Sequence, residues 1–128
     1  MAATQHRTDG DRAVIHHVVL FRLKPEVTTA EVDELAAGLR ALAGLADGVV
    51  SYSCGPDLGL AEGNDHFAIV AVFESPVALA GYLARPEHAT LVARMVPAMV
   101  AEKHSVQLAD WAWSAVAASA DSSSTLVV

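Results

Sequence analysis

Histidine is the side chain of this sequence best suited to proton transfer near neutral pH, and the chain carries six of them. Their neighbours decide which deserve attention. His16 and His17 are adjacent in a strand-like run, so they point to opposite faces and cannot chelate one metal together. His66 follows Asp65 at the head of another such run and reads as a solvated rim residue. His104 has Glu102 beside it as a pairing partner. A zinc site built from His17, His88 and a third histidine would have none of the short ligand spacings that mark such sites, so no metal is expected. Arg22 and Arg94 are candidates for holding a carboxylate or an enolate, and equally for ion pairs with Asp or Glu. Cys54 alternates with Tyr52 and Val50 and reads as a small buried hydrophobe.

The elements that must position these groups follow from periodicity. Residues 1–12 are polar and aperiodic, a flexible arm. Val14 to Lys24 is dense in β-branched residues and stops at Pro25, the pattern of a strand buried on both faces. It places His17, Val19, Phe21 and Leu23 on one face and His16, Val18, Leu20 and Arg22 on the other. Thr28 with Glu31 makes a capping box, and Val32, Leu35, Leu39 and Leu42 continue as one helical stripe towards stops at Gly44 and Gly48. Val49–Cys54 is a second strand, followed by loop composition from Gly55 to Asp65. His66–Phe73 is the third strand. Ser75-Pro76 then opens a helix carrying Leu79, Tyr82 and Leu83, until Pro86 interrupts it. A further helical stretch holds Leu91, Val92, Met95 and Met99, with Pro97 expected to bend it. His104–Trp113 alternates as a fourth strand, with Trp111 and Trp113 on one face as anchors for a subunit interface. The Ala/Ser-rich residues 114–128 read as a flexible tail.

The order β-α-β-β-α-β is the split βαβ arrangement, so the fold expected for 13–113 is α+β and ferredoxin-like, with a four-stranded antiparallel sheet. Helices cover one face of such a sheet. The other face, expected to carry Val, Leu, Ile and Phe side chains, calls for a second sheet. Composition agrees, because 53% of residues are apolar and only 18% charged, more apolar surface than one small domain hides. A homodimer is therefore expected.

Composition also excludes some functions. A net charge of −7, without a basic stripe, argues against binding nucleic acid. A single cysteine forms no internal disulfide. No apolar run is long enough to span a membrane, and the opening residues do not read as a signal peptide, so a cytoplasmic location is expected.

Over roughly residues 14–113 the sequence resembles the stress-responsive dimeric α+β barrel family, abbreviated Dabb. The likeness rests on the histidine-led first strand with its basic end, His17 through Lys24. It rests also on Gly63, Asp65, Phe67 and Ala68 entering the third strand, and on Phe73 closing it. Most telling is Tyr82-Leu-Ala-Arg-Pro86-Glu-His88, which is similar to the family's Tyr-x-x-His-Pro-x-His signature. Arg85 replaces the first histidine of that signature, so its role does not carry over.

The resemblance implies a dimeric α+β barrel around a pocket for an apolar or aromatic small molecule. Some relatives are cofactor-free enzymes, among them a polyketide cyclase performing an aldol condensation and a hydroxynitrile lyase. In the cyclase type a histidine is the base and a tyrosine hydroxyl holds the developing negative charge. The matching positions are His88 and Tyr82, with His17, Phe21, Phe67, Ile69, Leu83 and Leu91 as pocket lining. Such chemistry needs neither metal nor organic cofactor. Alternatively, Tyr82 buries its ring with its hydroxyl paired to backbone, and His88 caps the helix after Pro86. The protein is then a non-catalytic, stress-responsive ligand-binding dimer. A third reading is a cofactor-free monooxygenase of the antibiotic-biosynthesis barrel type.

Overall fold

The computed structural model describes residues 14–109. Along them run β1 (Ile15–Leu23), α1 (Thr29–Leu45), β2 (Val49–Pro56), β3 (Phe67–Phe73), α2 (Pro76–Ala84), α3 (Pro86–Met99) and β4 (Val100–Ala109). The strands form one antiparallel sheet in the order β2-β3-β1-β4. This is the ferredoxin-like α+β fold expected from the element order, with its second helical segment split in two.

Each boundary has a local cause. The capping box at the head of α1 is formed: the Thr28 N–H donates to Glu31 Oε1 (2.8 Å) and the Glu31 N–H to Thr28 Oγ1 (3.2 Å). At the head of α2 the Ala78 N–H donates to Ser75 Oγ at 3.1 Å, with Pro76 in the first turn. Pro86 then forces the residue before it out of helical conformation. Arg85 is extended (φ −64, ψ 140), ending α2, and Pro86 begins α3. This break sets the site, because Tyr82 falls in the last turn of α2 and His88 in the first turn of α3. The α3 helix continues through Pro97 to Met99, where the Pro97 carbonyl accepts a hydrogen bond from Lys24 Nζ.

The helices lie on the sheet face that carries Val19, Phe21, Ile69, Ala71 and Phe73. Leu35, Leu39 and Leu42 from α1, Tyr82 from α2, and Leu91, Met95 and Met99 from α3 complete the core. Phe67 and Phe73 are fully enclosed, so truncating either to Ala would cost roughly 3–5 kcal/mol. Gly48, at φ +79, is the tightest approach of loop to helix: a Cβ there would sit 2.6 Å from the Ala78 Cβ.

The opposite face is bare in the protomer. Val70, Val18 and Val106 stand side by side across β3, β1 and β4, and Val70 and Val106 are 46% and 48% exposed. Leu20 and Leu108 are exposed on the same face. The Ile and Phe side chains also expected there (Phe21, Phe67, Ile69 and Phe73) instead lie buried on the helix-covered face, because strand alternation sets them opposite to Val18, Leu20 and Val70.

One boundary corrects the sequence reading. The fourth strand starts at Val100, not His104, because its antiparallel pairing with β1 runs down to Leu23. Its charged residues suit an edge strand, where they discourage pairing with other chains. Trp111, Trp113, the N-terminal arm and the C-terminal tail lie outside the described residues. Among the described residues, no helix is long and apolar enough to cross a membrane.

Candidate active site

A cavity of about 230 Å³ lies between the helices and their sheet face. Its floor is β1 (His17, Val19, Phe21) with Ile69 of β3, and β4 adds Lys103, Ser105 and Gln107. Leu35 and Leu39 of α1 close one side, while Tyr82 and Leu83 of α2 and His88 and Leu91 of α3 close the other. The walls are mostly aliphatic, and the polar groups are few and convergent, as in a small-molecule site.

Tyr82 and His88 meet across the α2–α3 break. Their rings stand edge to face with centroids 5.2 Å apart. Tyr82 is wedged against Phe73 on its other side, with centroids 5.2 Å apart. Its hydroxyl shares a 2.8 Å hydrogen bond with the Tyr52 hydroxyl, which arrives from β2, rather than one with backbone. Burial pushes both phenols above their ordinary range. Either hydroxyl can donate in this bond, and whichever one accepts keeps its own proton for another partner. In the arrangement where Tyr52 donates, the proton of Tyr82 is left for a ligand.

Burial, and then the Lys103 ammonium, hold His88 below the usual histidine range. It is therefore a neutral base at neutral pH. His17 is shifted the same way by burial, Lys103 and His88. Gln107 Nε2 is 2.9 Å from His17 Nδ1. An amide N–H donates, so Nδ1 accepts and the neutral ring carries its proton on Nε2. The His17 ring packs edge-on against Phe73.

The structure brings His17, Phe21, Ile69, Leu83 and Leu91 to the same cavity as Tyr82 and His88. Phe67 does not reach it. That ring is 1% exposed and stacked on Phe21 (centroids 5.9 Å), so Phe21 meets the cavity and Phe67 backs it. His88 makes no cap for α3, whose first turn has no side-chain cap at Arg85. Arg85 instead pairs with Glu87 at 3.1 Å.

The other candidates are structural. Arg22 reaches Asp65 at 3.4 Å and the carbonyls of Gly63 and Asn64, and Arg94 pairs with Glu34 at 2.9 Å. His66 Nδ1 accepts from the Leu23 N–H, and His104 lies between Asp65 and Glu102. Cys54 is half-buried, with its thiol pushed up by burial. Among the described residues, no three His, Cys, Asp or Glu side chains are placed to hold a metal.

Sequence reasoning did not single out Tyr52, Lys103 and Gln107 for the site. Strand alternation was the available signal: Tyr52 shares a face with Cys54, and Lys103, Ser105 and Gln107 share one on β4. Which face looks inward becomes plain only from the pairing of Phe21 with Lys103 and of His17 with Gln107.

A helix-backed antiparallel sheet with an apolar cavity, entered by a tyrosine and a histidine from either side of a proline break, defines a ferredoxin-like α+β domain. Residues 15–112 match the model of the stress responsive A/B barrel domain, and the chain belongs to that family. No curated protein matches it. Among solved structures it is similar to a dimeric ferredoxin-like protein of unknown function from Thermobifida fusca, at 33% identity over 76% of this chain and 91% of that one (TM-score 0.69). A hydroxynitrile lyase from Passiflora edulis aligns at 18% identity, over 77% and 94% of the two chains (TM-score 0.66). SnoaB, a cofactor-independent oxygenase from Streptomyces nogalater, aligns at 17% over 75% and 91% (TM-score 0.61). At these lower identities the likeness is one of fold.

Proposed function

We propose that this protein is a small cofactor-independent enzyme that removes a proton next to a carbonyl, with an aldol-type cyclisation or a lyase outcome on a polyketide-like substrate. The observation that carries this reading is a cavity lined by both Tyr82 and His88, with the tyrosine hydroxyl paired to another phenol rather than to backbone. Neutral His88 takes the proton from the activated carbon, and the C–H electron pair becomes an enolate. The Tyr82 O–H donates to the enolate oxygen where charge develops. The enolate carbon attacks a second carbonyl, forming the C–C bond, and the resulting alkoxide recovers the proton from the His88 imidazolium. Aliphatic walls exclude water and strengthen both contacts.

The working unit is a homodimer, its two sheets facing each other across Val18, Val70 and Val106. The exposure of this apolar row supports the pairing, as do relatives described as dimeric.

Two assays test the activity: ring closure of a linear poly-β-ketoacyl thioester, and cleavage of an aromatic cyanohydrin. In the second, His88 would take the hydroxyl proton as the carbonyl forms and the C–CN bond breaks, the cyanide leaving with that proton as HCN. Turnover of either should fall by a factor of roughly 10² or more in His88→Ala and in Tyr82→Phe. Unchanged turnover in both variants would remove the catalytic assignment. Oxygen uptake matching product formation would replace it with an oxygenase.

A further inference from the structure

We propose that the cavity selects a substrate with a carboxylate at one end, and that Lys103 is the residue that holds it. Lys103 is the sole charged side chain among those lining the cavity. It stands opposite Phe21 in the β1–β4 ladder and shares the cavity-facing side of β4 with Ser105 and Gln107. The acid before it, Glu102, and His104 after it face the other way and engage each other and Asp65.

Other cations of the described region are engaged: Arg22 with Asp65, Arg85 with Glu87, Arg94 with Glu34, and Lys24 with the Pro97 carbonyl. No such contact holds the Lys103 ammonium among the described residues. Its field reaches inward, acting on both His17 and His88. Lys103 is an exposed residue at the cavity's rim, so an anion entering the cavity of this chain of net charge −7 would meet an unpaired cation there.

The kind of anion follows from the donors. One ammonium with neutral Ser105, Gln107 and histidine neighbours, and no arginine fork, suits a monoanion better than a phosphate dianion. The rest of the ligand then lies along Val19, Leu39 and Ile69, so the class is an apolar or aromatic carboxylic acid. This deepens the proposed function and depends on it only for the cavity being a ligand site, not for the reaction.

The test is direct binding of octanoate, octanamide and octyl phosphate to the intact protein by calorimetry, comparing the wild type with Lys103→Met. Octanoate should bind more tightly than octanamide, and Lys103→Met should weaken octanoate roughly tenfold while leaving octanamide unchanged. NMR titration should show the His17 and His88 pKa values rising in Lys103→Met, and rising in the wild type when octanoate is added. Equal affinities for acid and amide, or equal weakening of both by the substitution, would overturn the assignment. So would octyl phosphate binding better than octanoate. Absence of binding by all three probes would instead count against the cavity as a ligand site. Absence of wild-type turnover with retained octanoate selectivity would count against the reaction alone.

Discussion

The hydroxyls of Tyr52 and Tyr82 stand 2.8 Å apart, although one ring comes from β2 and the other from α2. Neither helix nor strand periodicity relates these two residues, and the contact exists because α2 packs its last turn over the sheet. It fixes where the Tyr82 hydroxyl oxygen sits, and in the arrangement where Tyr52 donates it leaves the Tyr82 proton for a ligand. Tyr52→Phe removes the hydroxyl partner of Tyr82 and nothing else of the ring. We expect kcat to fall about tenfold with KM little changed, and stability to drop by roughly 1–2 kcal/mol from the unpaired Tyr82 hydroxyl. Steady-state kinetics and chemical denaturation read the two effects separately.

These are the chain's only tyrosines, two in all, so a whole-protein ultraviolet titration reports the pair. Burial raises both. Phenolate absorbance should therefore remain absent well above pH 10, appearing only as the fold is lost. Ionisation of either tyrosine near pH 10 in the folded protein would contradict the buried pair.

Acid stability follows from the histidines. His17 and His88 both titrate below 6.5 in the fold, for burial first and Lys103 second. The unfolded chain therefore takes up more protons than the folded one once pH falls through 6.5. Their contribution to stability is whole above that pH and is lost as pH drops through the lowered folded values. Denaturation midpoints measured from pH 8 to pH 5 should fall in this window, and His17→Gln should flatten the slope. Any activity that uses His88 as base should hold below pH 6.5 and decline only on the acid side of its lowered pKa.

The open sheet face makes a prediction about assembly. Val70 is 46% exposed in the protomer, so Val70→Asp leaves the core of one chain undisturbed. In a face-to-face pair it would bury a charge at the centre of the apolar row formed with Val18 and Val106. Sedimentation should show two chains per particle for the wild type and one for the variant, with unchanged circular dichroism.

Glycine substitutions separate backbone strain from packing. Gly48 and Gly59 share nearly the same left-handed φ, +79 and +76, but only Gly48 has a neighbour within reach of a Cβ. Gly59→Ala should cost about 1 kcal/mol, from conformation alone. Gly48→Ala should cost more, because the new methyl must displace Ala78 and with it α2. Thermal unfolding of both variants gives the difference.

Local signals carried much of this architecture in readable form. Thr28 and Glu31 marked the head of α1, Ser75-Pro76 the head of α2, and Pro86 the break between α2 and α3, because caps and prolines act within a few residues of themselves. The strand alternation of β1 sorted His17, Val19 and Phe21 from Val18 and Leu20 before any partner was known. The head of β4 was misplaced for the complementary reason. Val100 to Lys103 carries charge suited to an exposed edge, and only the ladder with β1 makes it a strand.

The sequence by itself determined that a tyrosine and a histidine flank a proline break, that one sheet face is apolar and uncovered, and that the elements follow the βαββαβ order. Only the tertiary structure decided that this break overhangs a cavity on the helix-covered side of the sheet. It brought Tyr52 to Tyr82 and Gln107 to His17, placed Lys103 at the cavity's rim and set Phe67 behind Phe21. The reason is physical: caps, turns and alternation are encoded over a few residues. A cavity is the space left where separate elements pack, and its polar contacts join residues far apart in the chain.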